Sequence, residues 1–145
     1  MISQLNKILI RCDGGTIPEI GTGHVVRMIR LADQLCKNSI IKKKEVYFLT
    51  RKKKIFFNGY NLIKKSKFKI IDVNDQDLVP NSVNESKLIS KIFSKLVIID
   101  RLDTSEQFIK KIKSSGSKVI TFEDGGSGKY FADRSINEIF KDKKN

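Results

Sequence analysis

Short apolar runs recur along the chain. Between them lie stretches in which apolar residues return every three or four positions. Five runs lack regular polar alternation: "KILIRC" at Lys7–Cys12, "EVYFLT" at Glu45–Thr50, "KIIDV" at Lys69–Val73, "LVIID" at Leu96–Asp100 and "KVITFE" at Lys118–Glu123. They predict five strands covered on both faces. Val25, Met28, Ile29, Ala32, Leu35 and Cys36 fall at helical spacing and predict a helix from about Gly23 to Lys37. Further helices are predicted over Phe57–Lys65, over Glu85–Lys95 with Asn84 as cap, and from a Thr104–Gln107 capping box to about Ser115, where Gly116 stops the helix. A last short element is predicted near Ala132–Asn137, before the polar tail "KDKKN". Strands alternating with helices predict an α/β domain built on a parallel Rossmann-like sheet with helices on both faces. Ligands of such sheets bind beyond the carboxyl ends of the strands. This chain carries Asp13, Thr50, Asp100, Asp103, Glu123 and Asp124 there.

The chain's 145 residues predict one domain over about residues 1–140, large enough to hold a core without metal or disulfide. Charge changes the picture more. Twenty-nine basic residues against 16 acidic ones give +13, nearly all of the excess being lysine. Such a balance raises nucleic acid as a partner. The lysines are scattered, however, arginines are few and tryptophan is absent, whereas base and phosphate recognition favours arginine forks and stacked aromatics. Nucleic acid is therefore not expected. The basic runs Lys42–Lys44 and Arg51–Lys54 are expected as solvated loops. Cys12 and Cys36 have no metal or redox spacing and are expected as two reduced, buried thiols. The apolar run near the N-terminus is too short for a signal peptide or a membrane span, so a cytoplasmic location is expected.

Chemistry concentrates in "IGTGHVVRMIR", Ile20–Arg30, which holds the only histidine. Neither usual nucleotide motif is present. Gly21 and Gly23 lack the third glycine of a dinucleotide fingerprint, and Gly-His-Val stands where a phosphate loop needs Gly-Lys-Ser/Thr. His24 instead falls at a helix N-terminus, where unpaired N–H groups and the dipole disfavour a second positive charge. Neutral imidazole is what a general base requires. Glycines before it allow close backbone approach to a ligand, and Arg27, one turn on, can flank the same ligand. A histidine that only caps the helix or packs in the loop fits the residues too.

Arg11, Asp13, Gly21, Gly23, His24, Arg27, Leu31 and Ala32 together resemble the N-terminal signature R-x-D, loop, G-x-G-H-x-x-R of the UDP-sugar hydrolases of pseudaminic acid biosynthesis. That family is similar to spore-coat polysaccharide proteins and, more distantly, to MurG-like glycosyltransferases of the GT-B fold. The later block "LVIIDRLDTSEQFIKKIKSSGSKVITFEDG" resembles the family's strand ending in Asp, helix, and strand ending in an acidic pair. The resemblance implies the N-terminal domain of a two-domain enzyme. A second α/β domain would hold most of the UDP, and the active cleft would lie between the two. It implies hydrolysis of a UDP-linked diacetamido-trideoxy sugar, with water attacking the anomeric carbon, UDP leaving and the configuration inverting. His24 would be the base. Asp13 would sit beside the sugar, as substrate contact or histidine partner, and Gly21, Gly23, Arg27 and Asp100 would face substrate. No metal and no cofactor is implied. One departure stands out: the family's tyrosine after the strand-four aspartate is replaced by Arg101-Leu102-Asp103. Two alternatives remain open: a glycosyltransferase half, in which an acceptor hydroxyl replaces water, and a non-catalytic basic module for a polyanion.

Overall fold

The computed structural model describes residues 7–16 and 21–137. Strand β1 is Ile8–Cys12, followed by helix α1 over Gly23–Lys37, β2 over Val46–Leu49, α2 over Phe57–Lys65 and β3 over Lys69–Ile70. The second half runs through α3 over Val83–Ile92, β4 over Leu96–Asp100, α4 over Glu106–Ser114, β5 over Lys118–Phe122 and β6 over Arg134–Ile136. All six strands are parallel, in the order β3-β2-β1-β4-β5-β6. This is a Rossmann-like sheet, and the chain winds outward in both directions from β1 and β4.

Strand alternation splits the core into two layers. Ile8, Ile10 and Cys12 of β1, with Ile98 of β4, pack on Val25, Met28 and Ala32 of α1 and Ile63 of α2. Leu9, Val97 and Ile99 face the other way, onto Ile89 of α3 and Phe108, Ile109 and Ile112 of α4. The polar residues at the strand ends follow the same parity. Arg11 is directed to the α3 side, and Asp100 to the α1 side.

Several boundaries differ from the sequence expectation. The element expected near Ala132–Asn137 is a sixth strand, exposed along its length and ordered by pairing with β5. β3 is two residues long instead of five. Helix α3 is capped by Ser82, not Asn84. The Ser82 hydroxyl accepts from the Glu85 N–H at 3.1 Å, and the helix ends at Ile92 because Phe93 turns to φ 45°. Helix α4 is capped by Ser105, whose hydroxyl accepts from the Phe108 N–H at 3.2 Å. Thr104 is drawn away from that role by Asp124, which takes its N–H at 3.0 Å and its hydroxyl as well. Of the two thiols, Cys12 is buried and Cys36 only half-buried. The tail at residues 138–145 lies outside the described residues.

The loop after β1 is held close to α2. A side chain on Gly14 would place its Cβ 2.8 Å from Gly59 Cα and 3.0 Å from a Val25 methyl. Glycine at both contact positions lets the two backbones touch. The Gly15 N–H donates to Gly21 O at 3.1 Å.

Candidate functional site

β1 has β2 on one side and β4 on the other, so the loops leaving β1 and β4 part and open a crevice above their carboxyl ends. Helix α1 begins over this crevice. Its N-cap, Thr22, makes no side-chain capping bond, and its first turn contains no acidic residue. Asp100 at the end of β4 is fully buried and meets that turn.

His24 Nδ1 lies 2.6 Å from Asp100 Oδ1. A carboxylate only accepts, so the neutral ring carries its proton on Nδ1 and keeps the lone pair on Nε2. Arg27 Nε donates to Asp100 Oδ2 at 2.7 Å and its Nη2 to Oδ1 at 2.6 Å, a two-pronged clasp. Arg27 Nη2 is also 3.3 Å from His24 Nδ1, but a protonated Nδ1 has no lone pair to offer, so the bond that counts is to Asp100. Glu123, buried and at φ 53°, lies 4.0 Å from Arg27 Nη1. His24 and Arg27, one turn apart on α1, thus converge on one carboxylate 76 and 73 residues away. The sequence reading had offered Asp13 as a histidine partner. Asp100 holds that place.

Asp13 is engaged elsewhere. Arg11 Nη1 and Nη2 donate to its two oxygens at 2.7 and 3.0 Å. The Arg51 N–H and Nε each donate to it at 2.9 Å. Burial alone would raise the Asp13 carboxyl, but Arg11 and then Arg51 overcome it and hold the group well below the usual carboxylate range. Arg11 is fully buried on the α3 side, and there it also donates Nε to Glu85 at 2.6 Å. Burial works against its charge, yet Asp13 and Glu85 keep the guanidinium above its ordinary value. Glu85, 0% exposed, further accepts from the Asn81 N–H at 2.9 Å and lies 3.0 Å from Arg101 Nη1. Arg51 had been expected in a solvated loop. Its ion pair with Asp13 and its stacking over Phe56, 3.8 Å from the ring centre, draw it in instead.

A cavity of about 220 Å³ opens between these two clusters, bordered by Asp13, His24, Arg51, Asp100, Arg101 and Leu102 among others. A larger one of about 830 Å³ lies at the opposite, amino-terminal end of the strands, lined by Ile8, Ile40, Ile41, Leu96 and several lysines. Glu45 and five lysines line the larger cavity, whereas the His24–Asp100 pair borders the smaller one. Side chains built on Gly21 or Gly23 would meet no described atom within 4 Å, and Gly23 has no positive φ. The described residues around them therefore do not require glycine at either position. Thr50 and Asp124 are buried, and Asp124 serves the Thr104 turn. Among the described residues no group of three or more His, Cys, Asp or Glu is placed to hold a metal ion. No described helix is long and apolar enough to cross a membrane.

Sequence reasoning missed Glu85 as the hub of the buried ion pairs, and it missed Arg101. The one available signal was an arginine, Arg11, inside an otherwise apolar strand, since a buried cation requires a buried partner. No family model matches the chain. The chain is similar to an uncharacterized protein of Methanocaldococcus jannaschii, 34% identical over 139 residues that take in 92% of this chain and 25% of the relative. The chain thus spans about a quarter of the length of the curated relative it matches.

Proposed function

We propose that the chain is the sugar-facing domain of a UDP-sugar hydrolase acting in pseudaminic acid or surface polysaccharide biosynthesis. The observation that carries this reading is the 2.6 Å contact between His24 Nδ1 and the buried Asp100 carboxylate. It leaves Nε2 as the nitrogen that accepts a proton, on a ring that borders the cavity. In the step proposed, a water oxygen bonds to the anomeric carbon of a UDP-linked diacetamido-trideoxy sugar, and its proton passes to Nε2. The bond from that carbon to the diphosphate oxygen breaks, and its electron pair leaves with UDP. Asp100 is a positioning residue. It fixes the tautomer and offsets the charge that forms on the ring, while Arg27 holds Asp100 in place.

A second α/β domain is part of this proposal, because one wall of a cleft neither orients nor dries a reacting pair. The relative, about four times as long as the matched stretch, has room for one. The test is UDP release from the diacetamido-trideoxy sugar, followed by phosphorus NMR, for this chain together with that domain. His24→Asn and Asp100→Asn should each slow release by roughly 10²–10⁴-fold. Unchanged release in His24→Asn would overturn the reading. One observation favours the polyanion alternative: Lys7, Lys42, Lys43, Lys95 and Lys118 ring the larger cavity. A steep loss of polyanion affinity with salt, abolished by neutralising those lysines, would favour it.

A further inference from the structure

The buried cluster beside the cavity holds more positive than negative groups. Arg11, Arg51 and Arg101 share two carboxylates, Asp13 and Glu85. Arg11 is fully used: Nε reaches Glu85, Nη1 reaches Cys12 O and Asp13, and Nη2 reaches Asp13 and Leu78 O. Arg51 spends its contacts on Asp13. Arg101 is different. Its Nη1 lies 3.0 Å from Glu85 Oε1 without the direction of a hydrogen bond, and neither terminal nitrogen has a hydrogen-bond partner among the described residues, although both are buried. Its guanidinium is stacked over Phe108, 4.6 Å from the ring centre. Burial pulls the group below its ordinary value, Glu85 opposes this, and the nearby charge of Arg11 adds to it.

The other acids at the cavity do not answer this demand. Asp100 is taken by His24 and Arg27. Asp103 lies against the next loop, where a Cβ on Gly126 would come within 2.1 Å of its Oδ1. A buried guanidinium with unmet donors is costly, and a charge-assisted bond to an incoming oxyanion removes that cost.

We propose that Arg101 is an anion-binding residue of this cavity and receives a phosphate oxygen of the ligand. The proposal deepens the hydrolase reading and rests on it for placing the reacting carbon at His24. Because the terminal nitrogens are covered, binding involves a rotamer change that brings the guanidinium to the cavity wall. Glu85 then keeps Arg11 and the Asn81 N–H as partners. The oxygen comes from the diphosphate of the nucleotide, since a diacetamido-trideoxy sugar carries no acid group of its own.

The experiment records the arginine Nε–Hε signals of the ¹⁵N-labelled 145-residue chain during titration with glucuronate, inorganic phosphate and UDP-glucose. The Arg101 signal is assigned by its loss in Arg101→Lys. A saturable shift of that signal is expected with phosphate and UDP-glucose, and Arg101→Gln should weaken the same binding about 10-fold or more. A response to phosphate and UDP-glucose assigns the oxygen to the diphosphate; a response to glucuronate alone overturns the proposal. Silence of Arg101 towards all three overturns the proposal, as does affinity unchanged in Arg101→Gln. If that variant fails to fold, the titration of the unmutated chain decides alone. An Arg101 response without UDP release from any sugar keeps the anion site and sinks hydrolysis. UDP release with Arg101 silent does the reverse.

Discussion

Replacing Glu85 by alanine removes the hub on which the floor of the cavity rests. The side chain is 0% exposed, accepts from Arg11 Nε at 2.6 Å and the Asn81 N–H at 2.9 Å, and lies 3.0 Å from the charged Arg101 Nη1. In Glu85→Ala, Arg11 keeps Asp13, Cys12 O and Leu78 O but loses one of its two carboxylates, Arg101 loses the carboxylate beside it, and the Asn81 N–H loses its acceptor. Removing one member of a buried ion pair costs about 3–5 kcal/mol, because the other charge stays buried. The orphaned N–H falls within that range rather than adding to it in full. A loss near 4 kcal/mol is a large part of the roughly 5–15 kcal/mol that holds a domain together. With a urea slope of about 2 kcal/mol per molar, the midpoint should drop by roughly 2 M. The assay is urea unfolding followed by far-ultraviolet circular dichroism at neutral pH. Added salt should not restore the midpoint, since buried pairs are screened little. Glu85→Leu combined with Arg101→Leu should recover part of the loss, because the second change removes a stranded charge. A drop below about 0.5 M for Glu85→Ala would refute the reasoning, because Glu85 would then contribute no more than a surface acid.

Asp13 is held below its ordinary value, with Arg11 and Arg51 overcoming the effect of burial, so it binds fewer protons folded than unfolded. The stability it contributes is whole above about pH 4, the unfolded value, and is lost as pH falls towards the lower folded one. Asp13→Asn should therefore flatten the acid decline of the urea midpoint below about pH 4; identical slopes in the two proteins would contradict the pairing. Gly14→Ala should cost about 1–3 kcal/mol by thermal or urea unfolding, because its Cβ would sit 2.8 Å from Gly59 Cα. Gly23→Ala should be neutral or stabilise by up to about 1 kcal/mol, since it opens α1 and meets no described atom within 4 Å. A loss at Gly23 matching that at Gly14 would refute this account of the loop.

The five apolar strands and the amphipathic α1 were legible in the sequence because a strand covered on both faces needs only a run of apolar residues. So was the placing of His24 and Arg27 on one face of a helix start, which needs only a spacing of three. The sixth strand was not, since Arg134–Ile136 carries no apolar pattern and owes its order to β5. Helix starts were misplaced by one or two residues where neighbouring hydroxyls and amides compete. Ser82 and Ser105 won as caps, and Asp124, 20 residues away, claimed Thr104. The partners of the charged groups were decided only by the sheet order. β4 lies beside β1, which brings Asp100 to His24 across 76 positions, and strand parity sends Arg11 to Glu85 across 74. Local periodicity records which face of an element is buried. It carries no information about which distant carboxylate will meet a buried cation, and that pairing depends on the register of parallel strands joined by helical crossovers.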